Sequence, residues 1–172
     1  AVISLLLLAF QAYQLKPVRA QVNGYYRYPA IHENTVVFTA EGDLWKVSLG
    51  NPQATRMTTH LEQELHAAIS PDGKWVAFSA SYEGPTEVYV ISMAGGQPRR
   101  LTYDGDSARV VGWTPDGRVC YATRHYSTLP NTQLVLVHPQ THQIERVELN
   151  QASQAAWLEK QVGLVFTRLS KQ

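Results

Sequence analysis

The serines and histidines of this sequence are the residues from which a catalytic nucleophile and its base could be drawn. Beyond residue 20 the serines are Ser48, Ser70, Ser79, Ser81, Ser92, Ser107, Ser127, Ser153 and Ser170. The histidines are His32, His60, His66, His125, His138 and His142. Nucleophilic catalysis requires a base beside the nucleophile and a third group that orients the base. None of these serines lies in a Gly-x-Ser-x-Gly context, and the histidines are scattered over predicted loops and strand ends. We therefore predict that the sequence contains no catalytic residue.

Three further groups of side chains could bind a metal or react as a thiol. His138 and His142 are four residues apart, which on a helix would suit a metal, but Pro139 and the strand-like surroundings predict a turn. Asp104-Gly105-Asp106 lacks the further oxygen ligands of a calcium loop, so a solvated loop is the favoured interpretation. Cys120 lies in a strand-like run and is predicted to be a packed, inert thiol. We predict no metal and no cofactor.

The composition excludes nucleic acid as a partner. The apolar share of 44% and the charged share of 17% are those of an ordinary globular protein. The formal net charge is +1 and there is no run of lysine and arginine, so the electrostatic footprint of a nucleic-acid-binding protein is missing. Arg99-Arg100 is the densest basic spot, and we interpret the pair as strand residues that face solvent or a neighbouring repeat. With a single cysteine, no internal disulfide is possible.

The elements that must carry these residues recur at a fixed period. An aromatic residue in a short apolar run stands at Phe38, Phe78, Tyr121 and Phe166, in steps of 40, 43 and 45 residues. A second landmark, in the next predicted strand, stands at Leu44, Val88 and Leu134, in steps of 44 and 46. Four short strands per period of about 40–50 residues are typical of a β-propeller blade. The sequence therefore predicts an all-β protein, a partial β-propeller of about three and a half four-stranded blades.

Turn residues and strand composition agree with stacked blades. Ser70-Pro71-Asp72-Gly73 recurs as Thr114-Pro115-Asp116-Gly117, with proline suited to the start of a turn and glycine to the positive φ that rejoins a hairpin. The strands 75–80 and 88–91 are apolar on both faces, as strands covered on both sides are. The tryptophans, Trp45, Trp75, Trp113 and Trp157, are predicted to be blade core rather than a ligand platform.

The predicted organisation is a short leader followed by an unfinished ring. We expect blades at residues 25–62, 63–106 and 107–150 and an incomplete blade at 151–172. Propellers close with about four to eight blades, so we interpret residues 25–172 as the N-terminal part of a longer fold. In isolation this part is expected to be oligomeric, open or poorly stable, because an uncovered blade exposes strand edges.

The first twenty residues differ from the rest. Residues 1–10 (AVISLLLLAF) carry no charge and are followed by Lys16, Pro17 and the small residues of a cleavage site. An apolar core of about ten residues is too short for a stable membrane span and fits a secretory signal peptide over residues 1–20, truncated at its start and cleaved in the mature protein. The alternative is a buried N-terminal helix. The signal peptide predicts a periplasmic or otherwise exported protein, and the alternative location is the cytoplasm.

The repeat 70–78, with 87–90 and 95–102, resembles the propeller repeat shared by the Tol-system periplasmic propeller and relatives of prolyl oligopeptidase. Three further stretches, 28–32 leading to 41–45, Tyr82-Glu83-Gly84 and 110–117, are similar to the start of the first, six-bladed propeller of the tricorn protease family. That resemblance covers residues 25 to about 168. It implies a much longer chain with a second propeller, a PDZ-like domain and a serine-peptidase core that cleaves oligopeptides, assembled as a homo-oligomer.

Two functions follow from these resemblances. In the first, the segment is the non-catalytic propeller of a tricorn-like serine protease and guides or gates peptides toward a distant active site, since none of the family's catalytic residues maps onto this sequence. Its partners would be peptides or protein segments and the rest of its own longer chain. In the second, it belongs to a Tol-like periplasmic protein-binding propeller with no enzymatic activity. The sequence downstream of residue 172 would distinguish the two.

Overall fold

The computed structural model describes residues 24–158 and 163–168, and in that part of the chain every regular element is a β-strand. The strands of the first two sheets are β1 (Arg27–His32), β2 (Thr35–Ala40), β3 (Asp43–Ser48), β4 (Asn51–Arg56), β5 (Glu64–Ile69), β6 (Trp75–Ala80), β7 (Glu87–Ser92) and β8 (Arg99–Arg100). The strands of the next two are β9 (Arg109–Trp113), β10 (Val119–Thr123), β11 (Gln133–Val137), β12 (Ile144–Arg146), β13 (Ala155–Trp157) and β14 (Leu164–Phe166). The predicted signal peptide at residues 1–20 lies outside the described residues.

Each of the first three sheets is a four-stranded antiparallel meander, and β13 and β14 form a two-stranded sheet. The first strand of each sheet lies beside the first strand of the next sheet, so that β1, β5, β9 and β13 are neighbours. Consecutive meanders that meet through their first strands are the blades of a propeller, with those strands nearest the axis. The predicted fold class is therefore confirmed: the protein is a partial β-propeller. Among the described residues there is no helix long and apolar enough to cross a membrane.

The core lies between the sheets. One cluster around Val37, Phe78 and Ile91 packs the first sheet against the second, and another around Val90 and Tyr121 packs the second against the third. The two central strands of the second sheet are buried along almost their whole length, because both faces are covered, as their apolar composition predicts. Full burial of a valine, isoleucine or phenylalanine side chain contributes about 1.5–3 kcal/mol. The stacking of blades is therefore the main source of stability.

The repeated Pro-Asp-Gly turns are built by side chains as well as by backbone. Ser70 Oγ donates to Asp72 Oδ1 (2.6 Å) and accepts from the amide of Trp75 (2.9 Å). This hydrogen bond from Ser70 is the main reason that the pKa of Asp72 is lowered. Gly73 has φ +69°, and a Cβ there would lie 2.9 Å from the His32 ring of the first sheet. Ser70 is thus part of the turn, as predicted, and the turn also contacts the preceding blade.

The first strand of each complete sheet carries one extra residue relative to its partner strand. The register shifts between Arg27 and Ala30 in β1 and between Leu65 and Ala68 in β5, and β9 has a shift at the same level. Such bulges bend the strand and re-aim its side chains. Because these strands lie nearest the axis, the bulges determine which side chains face it.

Candidate functional site

The bulged strands enclose a cleft on the axial side of the sheets, hereafter the axial cleft. Its volume is about 290 Å³. The lining residues are Tyr28, Pro29, His66, Ala67, Arg109, Val110, Val111, Gln154 and Ala155. They come from β1, β5, β9, the start of β13 and the residue before it, so each described blade contributes to the wall. The sequence did not single out this set, because the alternation of a strand gives no sign of where a bulge falls.

Tyr28 and His66 occupy equivalent places in the bulges of β1 and β5. Both have left-handed backbone conformations, with φ of +50° and +55°, which are unfavourable for residues with a Cβ. Their rings are in contact across the boundary between the two blades, with centroids 4.2 Å apart and planes inclined by 55°. Non-glycine residues with left-handed backbone conformations tend to cluster at functional sites. This pair therefore makes the cleft a candidate functional site.

The charge in and around the axial cleft is positive. Burial is the main cause that lowers the pKa of His66, and the nearby guanidinium groups of Arg109 and Arg27 lower it further, so the imidazole is neutral at pH 7. Arg109 donates a hydrogen bond to the carbonyl oxygen of Ser153. Arg27 donates to Gln63 Oε1 (3.0 Å) and lies over the Tyr28 ring, 5.7 Å from its centroid. No carboxylate lines the cleft within the described residues.

Within the described residues, this arrangement offers aromatic, cationic and amide groups but lacks the parts of a catalytic site. The lining offers aromatic faces, a guanidinium and the Gln154 side chain, which suit an extended chain with its exposed carbonyl groups. The neutral His66 has no serine, threonine or cysteine beside it in the lining, so the described residues provide no nucleophile for it to activate.

Of the serines and histidines weighed above as catalytic or metal candidates, His66 lines the axial cleft, and the other described ones are not among its lining residues. His32 Nε2 lies 3.0 Å from the carbonyl oxygen of Pro71, and the His142 amide donates to the His138 carbonyl oxygen in the predicted turn. Ser79 Oγ accepts from the amide of Val110 across the blade boundary. In the ranges 24–158 and 163–168 no group of three histidine, cysteine or carboxylate side chains could hold a metal ion. Ser170 lies outside the described residues.

Cys120 is fully buried in β10, and burial raises its pKa to about 12. The tryptophans are half-buried: Trp113 and Trp157 pack against core clusters, and the Trp45 indole N–H donates to the Ala40 carbonyl oxygen. Trp75 and Trp113 also line a cleft of about 340 Å³ between the two Pro-Asp-Gly turns. The tryptophans thus support the blades without being fully enclosed by them.

The interpretation of Arg100 as a residue facing solvent or a neighbouring blade is wrong. Its guanidinium turns into its own blade and pairs with Glu87 (2.9 Å), which is fully buried, and with Glu83 (2.8 Å) at the surface. The buried carboxylate at the start of β7 requires a cation or several donors, and Arg100 supplies the cation. Arg99, in contrast, is exposed and contacts His142 of the next blade (3.2 Å), as predicted.

The predicted solvated loop Asp104-Gly105-Asp106 does reach solvent at Gly105, but the Asp104 side chain is half-buried and hydrogen-bonded. Tyr121 donates to Asp104 Oδ2 (3.2 Å) and Tyr126 donates to Oδ1 (3.3 Å). Burial is the main cause that raises the pKa of this carboxyl. The loop is held in this position because the Asp104 and Gly105 amides donate to the buried Glu87 carboxylate. The acidic residue at the start of β7 is the feature of the sequence that could have indicated this arrangement.

Comparison with known proteins places the chain in one family. A family model described as "Tricorn protease N-terminal beta propeller domain" matches residues 23–172. Tricorn protease homolog 1 of Streptomyces coelicolor is 42% identical over 96 residues, which cover 55% of this chain and 9% of that protein. This chain therefore spans only about a tenth of that relative.

Two solved structures are similar in fold. A crystal structure of the tricorn protease matches with a TM-score of 0.70 and 21% identity, over 79% of this chain and 14% of that one. TolB from Acinetobacter baumannii matches with a TM-score of 0.71 and 18% identity, over 87% of this chain and 39% of that one. At these identities the likeness shows the propeller fold alone.

Proposed function

Since the chain belongs to the family of tricorn protease N-terminal β-propeller domains, we propose that it is the non-catalytic propeller segment of a longer, tricorn-like serine protease that degrades oligopeptides. In this proposal the axial cleft guides or gates peptides on their way to an active site elsewhere in the longer chain. The observation that carries the proposal is the contact between Tyr28 and His66, two backbone-strained residues on adjacent innermost strands.

The physical argument rests on where those rings lie. A peptide that moves along the axis of a propeller meets the first strand of each blade, and the bulges put Tyr28 and His66 on that path. Aromatic rings bind extended peptides through their faces without demanding one sequence. Holding both rings at positive φ costs about 1–3 kcal/mol for each residue, a cost that a merely structural strand would avoid with glycine.

The test uses the full-length protein and substitutes both residues by glycine, which adopts positive φ without strain. We expect Tyr28→Gly/His66→Gly to change kcat/KM for long oligopeptides severalfold and to leave kcat/KM for the shortest cleaved peptides unchanged, because only long substrates need the passage. Tyr103→Gly, at an exposed tyrosine outside the axial cleft, is the matched control. Equal effects on long and short peptides, or no effect on either, would contradict the gating role.

A Tol-like protein-binding propeller without enzymatic activity is the second candidate, supported only by the shared fold with TolB. The sequence that follows residue 172 distinguishes the two. A second propeller and a serine-peptidase core would support the protease, whereas a chain that ends after six blades would support the binding protein.

Location and assembly are part of the same proposal. We place the protein in the periplasm or otherwise outside the cytoplasm on the basis of the predicted signal peptide, and we propose a homo-oligomer for the full-length form. N-terminal sequencing of the mature protein tests the first point: a mature chain that retains Leu5 to Leu8 would contradict export. Light scattering of the full-length protein tests the second, and a monomer would contradict it.

A further inference from the structure

At all three boundaries between sheets, one residue at or just before the start of the innermost strand is fully buried. These residues are Glu64, Ala108 and Ala152, spaced by 44 residues. Their amides make equivalent hydrogen bonds, to the carbonyl oxygens of Gly42 (2.8 Å), Thr86 (2.8 Å) and Thr132 (3.0 Å) in that order. The backbone hydrogen bond is thus the same at each boundary, and at two of the three boundaries the buried side chain is only the methyl group of an alanine. A carboxyl at the first boundary is not required by the fold.

The Glu64 side chain joins the first two sheets. Oε2 accepts from the amide of Leu44 (2.9 Å) and from the hydroxyl of Thr58, both of the first sheet. Oε1 accepts from the hydroxyl of Tyr82, which follows β6 in the second sheet. Ala108 and Ala152 have no atoms that could make such links. At the boundary between the first two blades, therefore, protonation of the Glu64 side chain can alter the contacts between blades, whereas the residues at its position at the other two boundaries cannot titrate.

The groups that face Glu64 offer it little compensation for a negative charge. Asp43 at the start of β3 is 1% exposed and repels a second carboxylate, although Arg56 pairs with it. The charged and titratable groups around Glu64 on the elements packed against it are Asp43 of β3, Arg56 of β4, His60 of the β4–β5 loop and Tyr82 of the β6–β7 loop. The single nearby cation is thus already paired with another carboxylate.

We propose that Glu64 is a proton-dependent latch that holds the first blade against the second. When the carboxyl is protonated, the boundary is closed, and its hydroxyl bonds to Thr58 Oγ1 or Tyr82 Oη, which can accept as well as donate. When it is ionised, burial of the charge costs free energy, and the boundary opens more often because water then reaches the carboxylate.

The direction of the pH effect follows from burial. Burial is the largest cause acting on Glu64 and raises its pKa, and the hydrogen bonds from Thr58, Tyr82 and Leu44 oppose it only in part. A carboxyl whose pKa is higher in the closed form stabilises that form fully below its ordinary pKa of about 4.3. This stabilisation is lost as pH rises through the raised pKa. The latch therefore tightens in acid and loosens toward neutral pH.

The test is hydrogen–deuterium exchange of the full-length protein from pH 4.5 to 8, with rates corrected for the intrinsic effect of pH. We expect the protection of peptides that contain Leu44 and Glu64 to fall as pH rises, by up to about tenfold per pH unit between the ordinary and the raised pKa of Glu64, and to level off above the raised pKa. Peptides that contain Leu134 and Ala152, at the third boundary, should keep constant protection and serve as an internal control, because no buried carboxyl among the described residues joins the blades there.

Three variants make the result specific. Glu64→Gln keeps the shape but cannot ionise, and Glu64→Ala copies the other two boundaries, so both should abolish the pH dependence at the first boundary. His60→Gln removes the nearby imidazole and should retain it. Should Glu64→Gln and Glu64→Ala still show the pH dependence, should His60→Gln lose it, or should the first and third boundaries respond alike in the unaltered protein, the latch would be disproved.

Discussion

The second and third sheets share one topology but are held together differently at the start of their third strands. In the second sheet that position is Glu87, fully buried, which accepts from Arg100, from the Thr102 hydroxyl and from the amide of Gly105 (3.0 Å). In the third sheet the equivalent residue is Gln133, whose Oε1 is buried without a hydrogen-bond partner. Arg146 and Glu148, at the positions of Arg100 and Thr102, are exposed.

The difference shows that one carboxylate can organise a whole edge of a blade. Glu87 ties the fourth strand to the third and also fixes the loop that leads to the next blade, because the donors come from both. The first sheet repeats the arrangement with Asp43, Arg56 and Thr58, although there the Thr58 hydroxyl donates to Glu64. In the third sheet, where an amide replaces the acid, its side-chain oxygen accepts no hydrogen bond.

The strongest test of this comparison is removal of the carboxylate. Glu87→Ala removes the buried acceptor of the Thr102 hydroxyl, the Gly105 amide and Arg100, whose remaining carboxylate partner is Glu83 at the surface. Breaking such a buried pair costs about 3–5 kcal/mol. We expect the free energy of opening of β7, measured by hydrogen exchange in the full-length protein, to fall by that amount. Gln133→Ala in the third sheet should cost less than about 1 kcal/mol in β11, because Oε1 has no partner to lose. Equal losses in the two sheets would refute the comparison.

A smaller effect is expected at the hydroxyl of the same cluster. Thr102→Val keeps the shape but deprives the Val88 amide and Glu87 of a partner, which should destabilise β7 by about 1–3 kcal/mol in the same exchange measurement. Glu148→Val, at the equivalent and exposed position of the third sheet, should remain within about 0.5 kcal/mol of the unaltered protein. A neutral Thr102→Val would show that the hydroxyl is dispensable.

The architecture was predictable from the sequence because it depends on features that repeat. Phe78 and Tyr121 each lie at the same place in a buried central strand, and the Pro-Asp-Gly turns specify the hairpins. The inward orientation of Arg100 was not predictable from alternation, since β8 has two residues. The 44-residue spacing of Asp43 and Glu87 on one side and of Arg56 and Arg100 on the other did carry the signal for these ion pairs.

The axial cleft was not predictable for a different reason. Its key residues, Tyr28 and His66, depend on one extra residue in β1 and in β5, and an insertion of one residue leaves no pattern in a strand of six. Neither residue is a glycine, so the positive φ that aims both side chains has no compositional marker. Packing between blades determines the backbone conformation at these two residues, and that packing cannot be inferred from a single sequence.

The smallest expected difference concerns the two Pro-Asp-Gly turns. Gly73→Ala and Gly117→Ala should each cost about 1–2 kcal/mol because both glycines have positive φ. Gly73→Ala should cost more, since its Cβ would meet the His32 ring at 2.9 Å, whereas a Cβ at Gly117 meets nothing within 4 Å. Exchange of β6 and β10 in the full-length protein measures both. The excess cost at Gly73 should disappear in the His32→Ala background, and its persistence there would contradict the contact.

The central claim is that these residues form a propeller scaffold and that the catalyst lies elsewhere in a longer protease. The most direct measurement compares hydrolysis of a fluorogenic oligopeptide by the full-length protein and by residues 23–172 alone. The account predicts hydrolysis by the full-length protein and none by the segment. Turnover by the segment that is abolished by substitution of one of its own serines, such as Ser79→Ala, would contradict it.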